Sequence, residues 1–286
     1  AAAAGEIGYP VVLKPRAAAA SYGVVRADDE AQLREHFRFA YHATVPDAPR
    51  HPRPVLVEEL VPGPEISVDS VVVEGEVTPV FVAHKEVGFP PYFEETGHLV
   101  AYPDPLLADP ELRRQLAAAH AGIGFRNGWT HTEFILAPAG PTLVEVNGRL
   151  GGDLIPYLGM RASGIDPGLL TAAAATGRAE PVRATRSGVA GVRFCYPDAE
   201  DVRVRSVSFD PARLPATIDR AEPVAVPGTR VSPPPKGLVS GRVAFATVLV
   251  GSVDECRAGL DQAQRALRLE TEPAGVDPEV RAGTGR

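Results

Sequence analysis

A chain of 286 residues with 44% hydrophobic content can bury a substantial core, as one large domain or two. Its net charge of −7 argues against non-specific nucleic-acid binding, which needs a basic surface, and no run of about 18 apolar residues is present to span a membrane. Cys195 and Cys256 lie far apart without metal-ligand spacing, the first residues do not read as a secretory leader, and a reducing, cytoplasmic setting is the expectation.

The first residue is Ala1, not Met, and residues 1–7 read like the last turns of a helix, so the parent protein is expected to extend upstream. Residues 9–15 (YPVVLKP) read as a short buried strand ending in Lys14. The small-residue run AAAASYG follows at 17–23. A lysine at a strand end beside such a loop offers an ammonium and backbone N–H groups to a phosphate. Residues 28–41 have helical spacing, with Leu33, Phe37 and Ala40 on one face, and 44–54 read as a proline-rich loop.

Residues 55–65 (VLVEELVPGPE) carry a strand into a Pro-Gly-Pro break. A second strand leaves over 66–73, and Glu74-Gly75 turns it into a third, over 77–84, that ends in Lys85. Glu58, Glu59, Leu60 and Val61 form a backbone edge that can pair with a purine, while Glu65 is free to accept sugar hydroxyls. Residues 88–102 (GFPPYFEETGHLVAY) are predicted to be a long irregular segment whose candidate binding groups are Glu95 and His98. Asp109 and Pro110 supply the N-cap and first position of a helix reaching about residue 122.

The stretch 129–152 (WTHTEFILAPAGPTLVEVNGRLGG) reads as a β-hairpin turning near Ala139. That register sets Glu133 opposite Glu145 on one face, with Cβ atoms roughly 4.5–5.5 Å apart, and Asn147 shares the face. Phe134, Leu136, Val144 and Val146 take the opposite, core-facing side. Two adjacent carboxylates repel unless a cation lies between them, and hard oxygen ligands favour Mg²⁺ or Mn²⁺. Arg149 follows, placed to meet an anion held by the same metals. Beyond it, Asp166-Pro167 opens a helix to about 176, residues 188–196 read as a strand, and 197–235 are proline-rich. A strand over 241–250 precedes a helix from the Ser252–Glu255 capping box to about 269, and 271–286 read as disordered.

Three of these motifs, in this order, resemble the ATP-grasp superfamily. GYPVVLKP with its small-residue loop resembles the phosphate-binding strand and flexible loop, VEELVPGPEISV the adenine hinge and ribose-binding acid, and TEFIL with VEVNGRLGG the metal-binding acids with their N-x-R tail. The resemblance implies an α+β fold in which two α+β lobes clasp ATP, followed by a C-terminal α+β subdomain. The implied divisions are a small lobe, truncated at its N-terminus, over 1–60, a large lobe with the metal site over 61–180, a C-terminal subdomain over 181–270 and a tail over 271–286.

Carried onto this sequence, the resemblance implies that Lys14, Ser21 and Lys85 bind ATP phosphates. Glu58, Glu59, Leu60 and Val61 would present the adenine edge, and Glu65 would hold the ribose. Glu133, Glu145 and Asn147 would hold Mg²⁺ (or Mn²⁺), and Arg149 would stabilise the transferring group. PPYFEETGH and GRVAFATVLVGSVDEC most resemble the L-amino acid ligase branch, in which Glu95 and His98 would face amino acid substrates. The implied activity is phosphorylation of a carboxylate to an acyl-phosphate, which is then joined to an amine. A biotin carboxylase-like or carbamoyl-phosphate-type enzyme and a non-catalytic ATP-binding module are the alternatives. Three departures stand out. Members usually carry a further N-terminal domain with another basic residue on the phosphates. Alanines occupy the small-residue loop where glycines are common, and Gly148 replaces a frequent proline. The partners implied are small molecules, not nucleic acid or membrane; a homodimer is left open.

Overall fold

The computed structural model describes residues 1–16, 18–43 and 55–275. At the N-terminal end lie α1 (Ala2–Ile7), β1 (Val11–Pro15), β2 (Val25–Ala27), α2 (Glu30–His42) and β3 (Val55–Glu59). The three strands form an antiparallel sheet in the order β2-β1-β3. Alternation along β1 buries Val11 and Leu13 against Val25, Leu33 and Ala40, which turns Lys14 to the other face. Asp29 caps α2 by accepting from the Gln32 N–H. Phe37 corrects the predicted helix face: it is 41% exposed and stacks on Tyr41, while Leu33, Ala40 and the partly buried Phe39 cover the narrow sheet. Ala17 and the proline-rich loop over 44–54 lie outside the described residues.

The chain continues through β4 (Glu65–Val73), β5 (Glu76–Gly88), β6 (Glu94–Tyr102), α3 (Pro110–Ile123), β7 (Gly128–Ala137) and β8 (Gly140–Asn147). Next come α4 (Ile155–Ser163), α5 (Pro167–Ala175), β9 (Gly188–Cys195), β10 (Val202–Phe209) and β11 (Ile218–Pro223). The last elements are β12 (Arg230–Val231), β13 (Ala244–Val250), α6 (Val253–Ala266) and β14 (Leu267–Pro273). An eight-stranded antiparallel sheet runs β11-β13-β9-β6-β5-β4-β7-β8. Helices α4 and α5 pack on it through Ile155, Leu158 and Leu170 against Phe81 and Trp129. Helix α3 packs Leu112 and Leu116 against Ile66, Val82 and Phe134. A third sheet, β12-β10-β14, closes over Cys195, Val204 and Val243.

Several predicted elements change. Residues 94–102, predicted irregular, form β6 between β5 and β9. The strand was hidden because its first half carries Glu, Thr, Gly and His, while only Leu99 and Val100 read as core. Pairing with β6 also carries β5 past Lys85 to Gly88, so Lys85 stands inside a strand. Within the proline-rich stretch the structure forms β10, β11 and β12, and α4 is an additional helix. The last helix stops at Ala266, and residues 267–273, Thr271 included, pair with β10 instead of continuing as helix or tail. Residues 276–286 lie outside the described residues. Strands β9, β11 and β13 continue the sheet built by β4–β8, so a division near residue 180 falls within one sheet.

The hairpin register needs one adjustment. Ala137 pairs with Gly140, which closes the turn on Pro138-Ala139, and a bulge beside Glu133 absorbs the extra residue. Glu133 therefore still faces Glu145, and His131 faces Asn147. Phe134 is fully buried as predicted, whereas Val144, at the bulge, lines the cavity described below and not the core.

Candidate ATP and metal site

A cavity of about 820 Å³ opens between the small sheet and the large one. The residues read as nucleotide contacts all line it: Lys14, Ser21, Glu58, Glu59, Leu60, Val61, Glu65 and Lys85. Glu95, Glu133, Glu145 and Arg149 line it too. His98 and Asn147 do not, but each touches a residue that does: Asn147 Nδ2 donates to Glu145 Oε1 at 2.7 Å, and His98 Nε2 lies 3.1 Å from Glu95 Oε2.

At the small-sheet end, Lys14 reaches across to Glu58 of the neighbouring strand, with Nζ to Oε2 at 3.0 Å. The loop after it places Ala20 and Ser21 in the left-handed region, both at φ 55°. For residues with a Cβ this costs about 1–3 kcal/mol each, so the small-residue loop holds strain of the kind found at ligand clamps. Arg149 Nη1 donates to the Leu150 carbonyl at 2.9 Å and remains exposed at the rim.

The centre is organised by Lys85. Its ammonium is 1% exposed and lies 2.7 Å from Glu65, 2.8 Å from Glu133 and 3.0 Å from Glu95. Burial alone would lower its pKa, but the three carboxylates outweigh that and hold it well above the ordinary lysine value. Glu95 and Glu133 titrate below the usual carboxylate range: burial opposes this, and Lys85 with His98 (for Glu95) or His131 (for Glu133) prevails. Glu65 goes the other way, raised by burial that Lys85 only partly offsets. One ammonium thus serves three acids, and Glu65 is the least satisfied.

Sequence reasoning missed the residues behind and beside this centre. Arg242 grips Asp153 with two bonds of 2.7 and 2.8 Å, and reaches Glu94 at 3.3 Å and the Glu95 carbonyl at 2.9 Å. It also donates to the Tyr196 hydroxyl at 3.1 Å, and its guanidinium carbon stands 3.8 Å from the Phe194 ring centroid. Asp153 is itself left-handed, at φ 51°, a conformation the paired guanidinium helps to hold. His98 Nε2 lies between Glu95 and Asp153 at ion-pair distance, and neither ring nitrogen makes a well-directed hydrogen bond among the described residues. Burial opposes its protonation, yet the two carboxylates raise its pKa. No linear spacing links Asp153 to Arg242. His131 was legible, because it stands two residues from Glu133 and shares its face.

The donor set suits a hard cation. Glu133 and Glu145 are cross-strand partners, and Asn147 spends its Nδ2 on Glu145, which leaves Oδ1 for a metal. Mg²⁺ commonly takes one or two carboxylates and keeps several waters. Glu133 is at present shared between His131 and Lys85.

The ATP-grasp domain family matches residues 7–157, more than half of the chain. The protein belongs to the ATP-grasp family. Carnosine synthase 1 of Gallus gallus is 33% identical over 159 residues, covering 52% of this chain and 17% of that protein. Alanine–anticapsin ligase of Bacillus subtilis (strain 168) is 28% identical over 181 residues, covering 55% of this chain and 37% of that protein. Among solved structures, the L-amino acid ligase from Bacillus licheniformis superposes with a TM-score of 0.75 at 21% identity, over 92% of this chain and 64% of that one. That likeness bears on the fold, which is the α+β ATP-grasp fold read from the motifs. The aligned stretches span well under half the length of these two curated relatives. Among the described residues no helix is long and apolar enough to cross a membrane.

Proposed function

We propose that this ATP-grasp chain is the nucleotide- and metal-binding part of a ligase that phosphorylates a carboxylate and joins it to an amine, with amino acids as substrates. The observation that carries the reading is the single cavity in which Lys14, Lys85, the Glu133–Glu145 pair and Arg149 converge, continuous with the wall of Glu94, Glu95, Asp153 and Arg242. The names of the similar proteins, carnosine synthase and alanine–anticapsin ligase, support the substrate class.

The backbone over 58–61 receives the adenine, Glu65 accepts the ribose hydroxyls, and Lys14, Ser21 and Lys85 hold the phosphates. A substrate carboxylate oxygen attacks the γ-phosphorus, the bond to the bridging oxygen breaks, and ADP leaves. The amine nitrogen then attacks the acyl carbon of the acyl-phosphate; the carbon–oxygen bond breaks, and the departing phosphate takes up the amine proton, with Glu95 and His98 on the side that faces the amino acids. Phosphoryl transfer is catalysed mainly by positioning and charge neutralisation, which here falls to the two lysines and Arg149. Mg²⁺, held by Glu133, Glu145 and Asn147, supplies further neutralisation when bound.

The test is ADP release from MgATP across L-amino acids, singly and in pairs, with Glu145→Ala as control. Release that needs an amino acid and vanishes in the control is expected. Undiminished release from Glu145→Ala at ordinary Mg²⁺ would sink the metal assignment. ATP binding with no acceptor-dependent release, from this chain and from one extended upstream, would assign a non-catalytic module.

A further inference from the structure

We infer that His131, anchored by the buried carboxylate of Asp69, is a positioning residue that fixes the Glu133 carboxylate for metal binding. The inference rests on the proposed role of Glu133 as a metal ligand. Asp69 on β4 lies directly across from His131 on β7 and is fully buried. A buried carboxylate is tolerated only when its oxygens are satisfied, and here the partners converge on Asp69 from two directions. Its Oδ1 accepts from Trp129 Nε1 at 2.8 Å and from the Gly151 N–H at 3.3 Å, while Oδ2 faces His131 Nδ1 at 3.0 Å. With Nδ1 committed to Asp69, the ring directs Nε2 at Glu133 Oε1, 3.2 Å away.

Glu133 is thereby held at both oxygens, Oε1 by His131 and Oε2 by Lys85 at 2.8 Å, which together with the side-chain bond to the carboxyl carbon fixes the rotation of the carboxylate. The same Asp69 fixes the loop that follows Asn147 and Arg149. A Cβ at Gly151 would come within 2.7 Å of His131 Nδ1 and 3.3 Å of Asp69 Oδ1, so only glycine lets that loop close on the pair. One buried carboxylate thus sets the metal-binding acid on one side and the loop of the anion-binding arginine on the other.

The test counts Mn²⁺ bound to the chain in the presence of ADP, by electron paramagnetic resonance. Asparagine keeps a polar group near Nδ1 but cannot reach Glu133, whereas glutamine places one near Nε2. His131→Asn is therefore expected to weaken Mn²⁺ about 10- to 100-fold, the usual cost of losing an outer-shell partner. His131→Gln should retain most of the affinity, and the thermal shift given by ADP alone should not change in either. Gly151→Ala displaces the ring from outside the sheet and should weaken Mn²⁺ as well. Wild-type affinity in His131→Asn or in Gly151→Ala would overturn the inference, as would equal losses in the Asn and Gln variants. If His131→Asn does not fold, the Gln and Gly151→Ala variants decide. No Mn²⁺ on the wild-type chain with ADP would overturn the metal assignment and this inference together. Mn²⁺ binding without acceptor-dependent ADP release, from this chain and from one extended upstream, would overturn the ligase reading alone.

Discussion

Lys85→Met removes the one ammonium that Glu65, Glu95 and Glu133 share while keeping most of the side-chain volume. Breaking a buried ion pair by deleting one partner costs about 3–5 kcal/mol, because the remaining charge is left uncompensated. Here three acids lose a shared partner, but Glu95 keeps His98 and Glu133 keeps His131, and the three side chains remain 14–21% exposed on the cavity, so water relieves part of the loss. The lower end, about 3 kcal/mol, is the expectation, and for a chain of this size it corresponds to a fall in Tm of about 6–12 °C. The pH dependence gives a second signature. In the wild type the folded pKa of Lys85 lies above its unfolded value, so its contribution is complete below the unfolded pKa and is lost only as pH rises through the folded one. Between pH 5 and 8 it is therefore constant. In the variant the three crowded carboxylates take up protons more readily folded than unfolded, so stability should rise as pH falls from 7 to 5. Urea unfolding at both pH values measures this. A loss under about 1 kcal/mol at pH 7, or a loss that stays the same at pH 5, would refute the account of Lys85 as the charge holding the centre together.

Arg242→Met should abolish acceptor-dependent ADP release while leaving the thermal shift given by MgADP unchanged, because Asp153, Glu94 and the Glu95 carbonyl lose their shared donor while none of the residues read as nucleotide contacts bonds to Arg242. A parallel assay of both quantities checks it, and loss of the nucleotide shift would point to general unfolding. Gly97→Ala should destabilise by about 1–3 kcal/mol through overpacking, since the new Cβ would lie 2.5 Å from the Val192 carbonyl oxygen of the neighbouring strand. Calorimetry would show it as a lower Tm.

The site was legible where function rides on local pattern. Period-two alternation places Lys14 opposite the buried Val11 and Leu13, and it puts Glu133, Glu145 and Asn147 on one face even though the turn lies half a residue from its predicted centre. The pattern failed where function itself disturbs it. Strand β6 is hard to read because Glu94 and His98 are buried polar residues and Glu95 is half-buried at the cavity, and a strand that turns polar side chains inward does not alternate as a core strand does. Missing that strand also cut β5 short at Lys85, which concealed how deeply the ammonium is enclosed.

The remaining gap is a matter of sequence distance. Lys14, Glu65, Lys85 and the hairpin acids all lie within the 7–157 span that matches the ATP-grasp domain family. Tyr196, Val239 and Arg242 come from beyond it, and Val239 and Arg242 line the same cavity. Arg242 meets Asp153 across 89 residues and Glu94 across 148. Because β9 and β13 pair within the same sheet as β6, the later segment builds the cavity wall and is not an appendage to it. The Lys14 end of the cavity is drawn from short local motifs, while the acid-and-arginine wall depends on how a distant segment is docked. Residues on such a wall can change without disturbing the local motifs of the 7–157 span, so under the proposed function this is where substrate choice has room to vary.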